Sequence, residues 1–302
     1  MNAEAHNEKR GLMVADEGVV VLFDRNEVTS VVRTPVARGA LDPSAAGTTR
    51  PGRDRSRADL QGVAWNGHEF LAVGQVPNDS GGYSFNYIAY ASPDGSVWTQ
   101  VGEFTLGPAA HSLTWGTTNK QWVVVGTTGN GAAVATSPDG VAWDSVPFGD
   151  DIGELFASTD SKGIVVVAGA RGHIVFSPDT KIGWGRAESQ GSESIDAVVP
   201  TEDGFLAVDS TGALLSSADA RAWRSAGTLP RSVSSLTPCG DNLIAVSDSQ
   251  SKTIAVYEVG TAGVQQTVAE IPLKNDSYTS ALATCVAGQW AILLSDGTVR
   301  YS

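Results

Sequence analysis

The chain is poor in the residues that build reactive or membrane-bound sites. It has two cysteines, two methionines and four histidines in 302 residues. His6, His68, His111 and His173 are scattered and keep no metal-ligand spacing with one another or with Cys239 and Cys285, so no metal is expected. No apolar run approaches the ~18 residues of a membrane helix, and no membrane insertion is expected. The polar start, residues 1–10, lacks the apolar stretch of a secretory signal. Positive charge is scarce: 20 Lys+Arg against 33 Asp+Glu leave a net charge of −13. Such a surface repels phosphate, which excludes a general nucleic-acid binder. No helix of two turns is evident, and neither a Gly-x-Ser-x-Gly elbow nor a phosphate loop occurs, so no cofactor is expected.

What is present suffices for a sizeable core. Apolar residues make up 41% and charged residues only 18%, too few for a disordered chain. Residues 1–59 carry nine basic and nine acidic side chains, which leaves 20 − 9 = 11 basic and 33 − 9 = 24 acidic for residues 60–302. Residues 35–59 are rich in Pro, Gly, Ser and Arg with no apolar period, and read as a long loop or linker. The organisation is therefore 1–34 as N-terminal strands, 35–59 as the connection, and 60–302 as the remaining body.

Internal repeats dominate that body. Tyr90-Ala-Ser-Pro-Asp-Gly-Ser-Val-Trp98 recurs as Ala135-Thr-Ser-Pro-Asp-Gly-Val-Ala-Trp143, and more loosely around Ser177 to Trp184 and Ser217 to Trp223. The tryptophans lie 45, 41 and 39 residues apart. A period near 40 in a strand-rich chain matches four-stranded propeller blades. The spacing predicts an all-β single propeller of seven blades, with six as the alternative if the chain ends share a blade. The first and last blades are expected to lack one strand each.

The repeated Ser-Pro-Asp-Gly-x-x-Trp resembles a shortened Asp box, the signature of sialidase-like and BNR-repeat propellers. That resemblance places Ser92, Asp94, Trp98, Ser137, Asp139, Trp143, Ser177, Asp179, Trp184, Ser217, Asp219 and Trp223 on turns between third and fourth strands. It also puts these turns opposite the family's catalytic face, where they carry no chemistry. Three copies are one residue shorter than the usual box, and the Ser177 copy keeps the longer spacing without its Gly. Asp and Ser at such turns accept bonds from following backbone N–H groups, and the Trp rings bury between sheets. The wording of the repeats is also similar to phage tail and baseplate propellers, which implies a virion or other extracellular particle.

Sialidase-type catalysis would need a three-arginine clamp, a Tyr/Glu pair and an acid on the opposite face. No arginine occurs between Ala58 and Ala170, and Arg33-Thr-Pro35 is a poor match to the family's Arg-Ile-Pro motif. The expectation is a non-enzymatic binding or structural module. A sialidase-like hydrolase and a secreted or surface glycan-binding propeller are the alternatives. Asp150, Asp151 and Glu154 read as a solvated acidic turn, with calcium as the other reading although the calcium-loop pattern is absent. Cys239 and Cys285 are expected as reduced, buried thiols, with a bridge between adjacent blades as the alternative.

Two connections exceed the rest, residues 35–59 and 75–86, and propeller topology sends both to one face. Arg50, Arg53, Arg55 and Arg57 form a basic strip there on an acidic body. Asn78, Asp79, Tyr83, Phe85 and Asn86, followed by Tyr87, mix ring and amide groups suited to a protein or glycan partner. These residues are the expected partner contact of a chain that acts alone or as a subunit of a larger assembly.

Overall fold

Burial follows the strand pattern. Second strands are unbroken apolar runs because both of their faces are covered: seven of the eight residues of Gln121–Thr128 are buried, as is all of Gly204–Asp209. Outer strands alternate between exposed and half-buried, as in Glu27–Arg33. The computed structural model describes residues 3–7, 10–24, 27–37, 56–77, 85–128, 131–148, 151–180, 183–188, 191–247, 253–260, 263–273, 281–294 and 299–301. Their strands form seven antiparallel sheets, each built from consecutive strands. The blades are residues 3–33, 59–104, 109–147, 155–186, 195–228, 233–272 and 281–301. The protein is a single seven-bladed propeller, and the six-blade alternative falls. The first strands pack against one another around the ring and so face the axis.

One expectation at the chain ends is corrected. Blade 1 is complete, because Ala3–His6 pairs with Gly11–Val14 as its innermost strand. An innermost strand borders the axial channel and needs little apolar surface, so this polar segment carries no strand signal. Among the described residues, blade 7 has three strands, Ala281–Val286, Gln289–Leu294 and Val299–Tyr301. The ring closes by packing Met13, Val21 and Phe23 of blade 1 against Ala291 and Leu293 of blade 7.

The repeated turns occupy equivalent places on what is here termed the lower face. Ser92, Ser137, Ser177 and Ser217 stand opposite Phe70, Trp122, Val165 and Phe205 at the lower ends of second strands. The N–H of Gly95, Gly140 and Thr180 donates to the hydroxyl of Ser92, Ser137 and Ser177, each at 2.8 Å. Asp94, Asp139 and Asp219 accept N–H bonds from Ser96, Val141 and Arg221 at 2.8–2.9 Å. The indole N–H of Trp98, Trp143, Trp184 and Trp223 closes each turn on the carbonyl of Gly95, Gly140, Thr180 or Ala220. Gly95 and Gly140 adopt φ of 79° and 75°. Thr180 and Ala220 hold the same left-handed place at 58° and 64°, at about 1–2 kcal/mol of strain each.

Each of these rings reaches back to the preceding blade. Trp98 belongs to the cluster around Leu12 of blade 1, and Trp223 to the cluster around Phe176 of blade 4. Trp143 stacks on Phe104 of blade 2 at 4.4 Å, and Trp184 meets Phe148 beyond blade 3 edge-on at 5.4 Å. A side chain at Gly140 would collide with Leu71 of blade 2 at 2.8 Å, so the turn itself is part of the seam.

Blade 6 lacks this turn. Its third and fourth strands, Thr253–Gly260 and Gly263–Pro272, continue as a ribbon to the pair Gly260 and Gly263. Cys239 and Cys285 are joined in a disulfide between the first strands of blades 6 and 7, with Cα atoms 5.3 Å apart. The expectation of reduced thiols is therefore corrected. Adjacent first strands run side by side around the axis, which brings these two positions within bridging range.

Candidate functional site

The seven first strands enclose an axial cavity of about 460 Å3, within the usual range of ligand pockets. Its upper mouth carries His111, Phe156 and Asp196. The His111 ring meets Phe156 edge-on at 5.3 Å, and its Nε2 is buried with no hydrogen-bond partner. Burial pushes the His111 pKa down, against a smaller opposing pull from Glu154. Midway down, the hydroxyls of Ser112 and Ser158 share a 2.9 Å hydrogen bond between blades 3 and 4.

The lower mouth is a ring of equivalent positions at the ends of first strands. His6, Trp65, Trp115, Asp160, Pro200 and Pro238 come from blades 1 to 6 in order. Each stands opposite the first or second residue of its blade's second strand: Gly11, Phe70, Trp122, Val165, Phe205 and Leu243 in turn. The Thr117 hydroxyl donates to Asp160 Oδ1 at 2.6 Å, while Asp160 Oδ2 is buried without a partner. Burial raises the Asp160 pKa, opposed by smaller effects of Thr117 and Lys120. A further hollow of about 520 Å3 continues outward past His6, Trp65 and Pro238 to Gly240 and Gly288. A groove of about 440 Å3 runs along the lower edge of blade 5, between Asp203, Leu206, Asp219 and Arg224.

The sequence-chosen contact residues divide in two. Arg50, Arg53, Arg55, Asn78, Asp79, Tyr83 and the acidic Asp150 lie outside the described residues. Arg57 donates through Nη1 to the Thr34 carbonyl. Phe85 and Asn86 are strand residues rather than loop: they open the third strand of blade 2, opposite Pro77 and Val76. Phe85 packs against the core between blades 2 and 3, and Asn86 Nδ2 donates to Glu103 Oε1 at 2.9 Å. The Tyr87 hydroxyl donates to the Gly107 carbonyl at 3.0 Å, and burial raises its pKa.

The stems of the two long connections meet at one edge of the upper face. Asp59 stands opposite Gln75, the Gly18 N–H donates to the Ala58 carbonyl at 2.8 Å, and the Thr34 N–H to the Gly18 carbonyl at 2.8 Å. Asp151 forms an ion pair with Arg186 at 2.7 Å, and this bond holds its carboxyl below the usual range. Arg231 bonds the Thr253 hydroxyl at 3.1 Å. Among the described residues, no group of three or more His, Cys, Asp or Glu side chains is arranged to hold a metal ion.

Sequence reasoning passed over the axial ring entirely. Its members are one residue per blade and of four types, so only their shared place opposite the second strand could have found them.

No protein-family model matches the chain, and no curated protein does. Solved structures do. The structure titled "YCF48 bound to D1 peptide" is 16% identical, with a TM-score of 0.60 over 99% of this chain and 91% of that one. The Myceliophteria thermophila Cps50 (Swd1) β-propeller domain is 12% identical, with a TM-score of 0.62 over 99% and 95%. The WD40 β-propeller domain of Doa1 is 14% identical, with a TM-score of 0.62 over 99% and 91%. At these identities the likeness is one of architecture: this chain has the fold of a seven-bladed β-propeller.

Proposed function

We propose that the chain is a non-catalytic propeller that binds a segment of a partner protein on its upper face, as part of a larger assembly. The observation that carries this reading is the meeting of the stems of the two long connections on the upper face, with Asp59 opposite Gln75 and Arg57 bound to the Thr34 carbonyl. Long loops raised on a rigid scaffold are where binding residues concentrate. Arg50, Arg53, Arg55 and Arg57 supply a cationic strip, and Asn78, Asp79 and Tyr83 supply amide, carboxylate and ring groups, while Phe85 and Asn86 hold the stem through the core and Glu103. A partner segment rich in carboxylates suits that strip on an otherwise acidic body. The propeller of similar fold titled as bound to a peptide supports a peptide-sized ligand. A virion or other extracellular particle is the proposed setting: the repeat wording is similar to phage tail proteins, and the Cys239–Cys285 bridge suits oxidising surroundings.

The test replaces residues 38–55 with a short Gly/Ser linker and, separately, changes all of Arg50, Arg53 and Arg55 to Ser. Both variants should stay folded and lose capture of the natural partner from the source particle. Unchanged capture by both, or strong binding to a glycan array in place of a protein, overturns the reading.

A further inference from the structure

We propose that the lower mouth of the axial cavity binds an organic cation, an alkylammonium group of the size of a lysine side chain. The four successive positions from blade 1 to blade 4 are His6, Trp65, Trp115 and Asp160, an arc of three rings that ends in a carboxylate. Pro200 and Pro238 continue the wall with groups that donate no hydrogen bond.

Both indoles are half-buried and held from behind. Trp65 rests against Phe70 at 4.5 Å between ring centres, and Trp115 against Trp122 at 4.7 Å. Rings fixed in this way present their faces at little cost in conformational freedom, and indole attracts a cation more strongly than any other side-chain ring. Asp160 supplies the counter-charge. Thr117 satisfies one of its oxygens, and the other is buried with no partner. A buried carboxylate oxygen without a donor is costly, and an ammonium group relieves that cost by donating to it. An anion would instead meet this carboxylate and a chain of net charge −13. The cavity's size fits a short aliphatic stem behind the charged head.

This site lies on the opposite face from the proposed partner contact and stands or falls separately from it. The test is calorimetry and tryptophan fluorescence on the full chain with n-butylammonium, 1-butanol and butyrate. Saturable binding of n-butylammonium is expected with a Kd on the order of 1 mM, and the neutral and anionic isosteres should bind at least about tenfold more weakly. Asp160→Asn keeps the shape and an acceptor for Thr117 but removes the charge; it should weaken n-butylammonium about tenfold and leave 1-butanol unchanged. Trp115→Phe, a milder change than truncation, should weaken it by a few-fold while the melting temperature reports the fold. A capped lysine that binds as well as n-butylammonium identifies a partner's side chain as the source of the cation, and its exclusion identifies a free amine. Equal affinity for 1-butanol, no saturation, or an Asp160→Asn variant with unchanged affinity overturns the proposal.

Discussion

Along blades 2 to 5 each seam with the preceding blade holds a tryptophan set on a Ser-x-Asp turn, whereas the seam between blades 6 and 7 holds a disulfide and hydroxyl groups. In the first region Trp98, Trp143, Trp184 and Trp223 each reach the blade before their own. In the second, Cys239 is bonded to Cys285, Thr237 Oγ1 donates to the Ala283 carbonyl at 3.1 Å, and Ser234 Oγ to the Ala281 carbonyl at 2.9 Å. The tryptophan solution acts near the lower rim through apolar area. The disulfide solution acts near the axis through a covalent tie between adjacent first strands. A repeat fold thus needs each seam closed, and leaves the chemistry of closure free to differ.

The comparison breaks most sharply at Trp223, which is 1% exposed. Trp223→Ala should cost about 3–5 kcal/mol in denaturant melts, as truncation of a fully buried large aromatic does. A loss below about 1 kcal/mol would mean that this seam does not depend on its ring. Next comes the covalent tie. Cys239→Ser with Cys285→Ser should cost about 2–4 kcal/mol, since the bridge closes a separation of 46 residues. Reductant should lower the melting temperature of the native chain and leave that of the double variant unchanged. If reductant changes neither, the blade 6–7 seam is held by its hydroxyls and core alone.

Trp143 sharpens the picture because it is only half-buried against Phe104. Trp143→Ala should cost about 2 kcal/mol, clearly less than Trp223→Ala in the same assay. The smallest effect is Asp139→Asn, at about 1 kcal/mol from weakened turn bonds. It also carries a pH signature. Backbone N–H groups, chiefly that of Val141, hold the Asp139 carboxyl below its usual range, and those of Arg221 act likewise on Asp219, while the Ser96 hydroxyl leads at Asp94. A folded-state pKa below the unfolded one gives stability that is full above the ordinary value of about 3.9 and is lost as pH falls through the lowered one. Acid melts below about pH 4 should therefore fall less steeply for Asp139→Asn than for the native chain. The double cysteine variant should keep the native slope, because it leaves Asp94, Asp139 and Asp219 intact.

The blades were legible because each of four repeats announces itself within seven or eight residues, from Ser to Trp, and the turn chemistry is local. The seventh blade followed from arithmetic on strands. The strand Ala3–His6 was not legible: its partner is Gly11–Val14, and nothing in a short polar segment signals that pairing. The disulfide was legible only as the alternative to reduced thiols, for a different reason. Two cysteines 46 residues apart gain proximity only from the ring, where first strands of neighbouring blades lie side by side. The axial mouth was least legible of all, since Trp65, Trp115 and Asp160 look like unrelated strand ends until the register aligns them.

The way the ring closes has a kinetic consequence. Nearly every pairing in this fold joins strands that follow one another along the chain, so each blade forms from contacts of low sequence separation. The exception is the junction of blades 1 and 7, where Met13 meets Leu293 across 293 − 13 = 280 positions. Among the described residues, neither blade lends a strand to the other's sheet there. Closing so long a loop costs entropy that earlier steps do not, and only side-chain packing rewards it. Folding should therefore end with the docking of these two blades, and native-state opening should begin with their parting. Amide exchange would register that order as weaker protection in Gly11–Val14 and the buried residues Ala291–Leu294 than in the second strands Gln121–Thr128 and Gly204–Asp209.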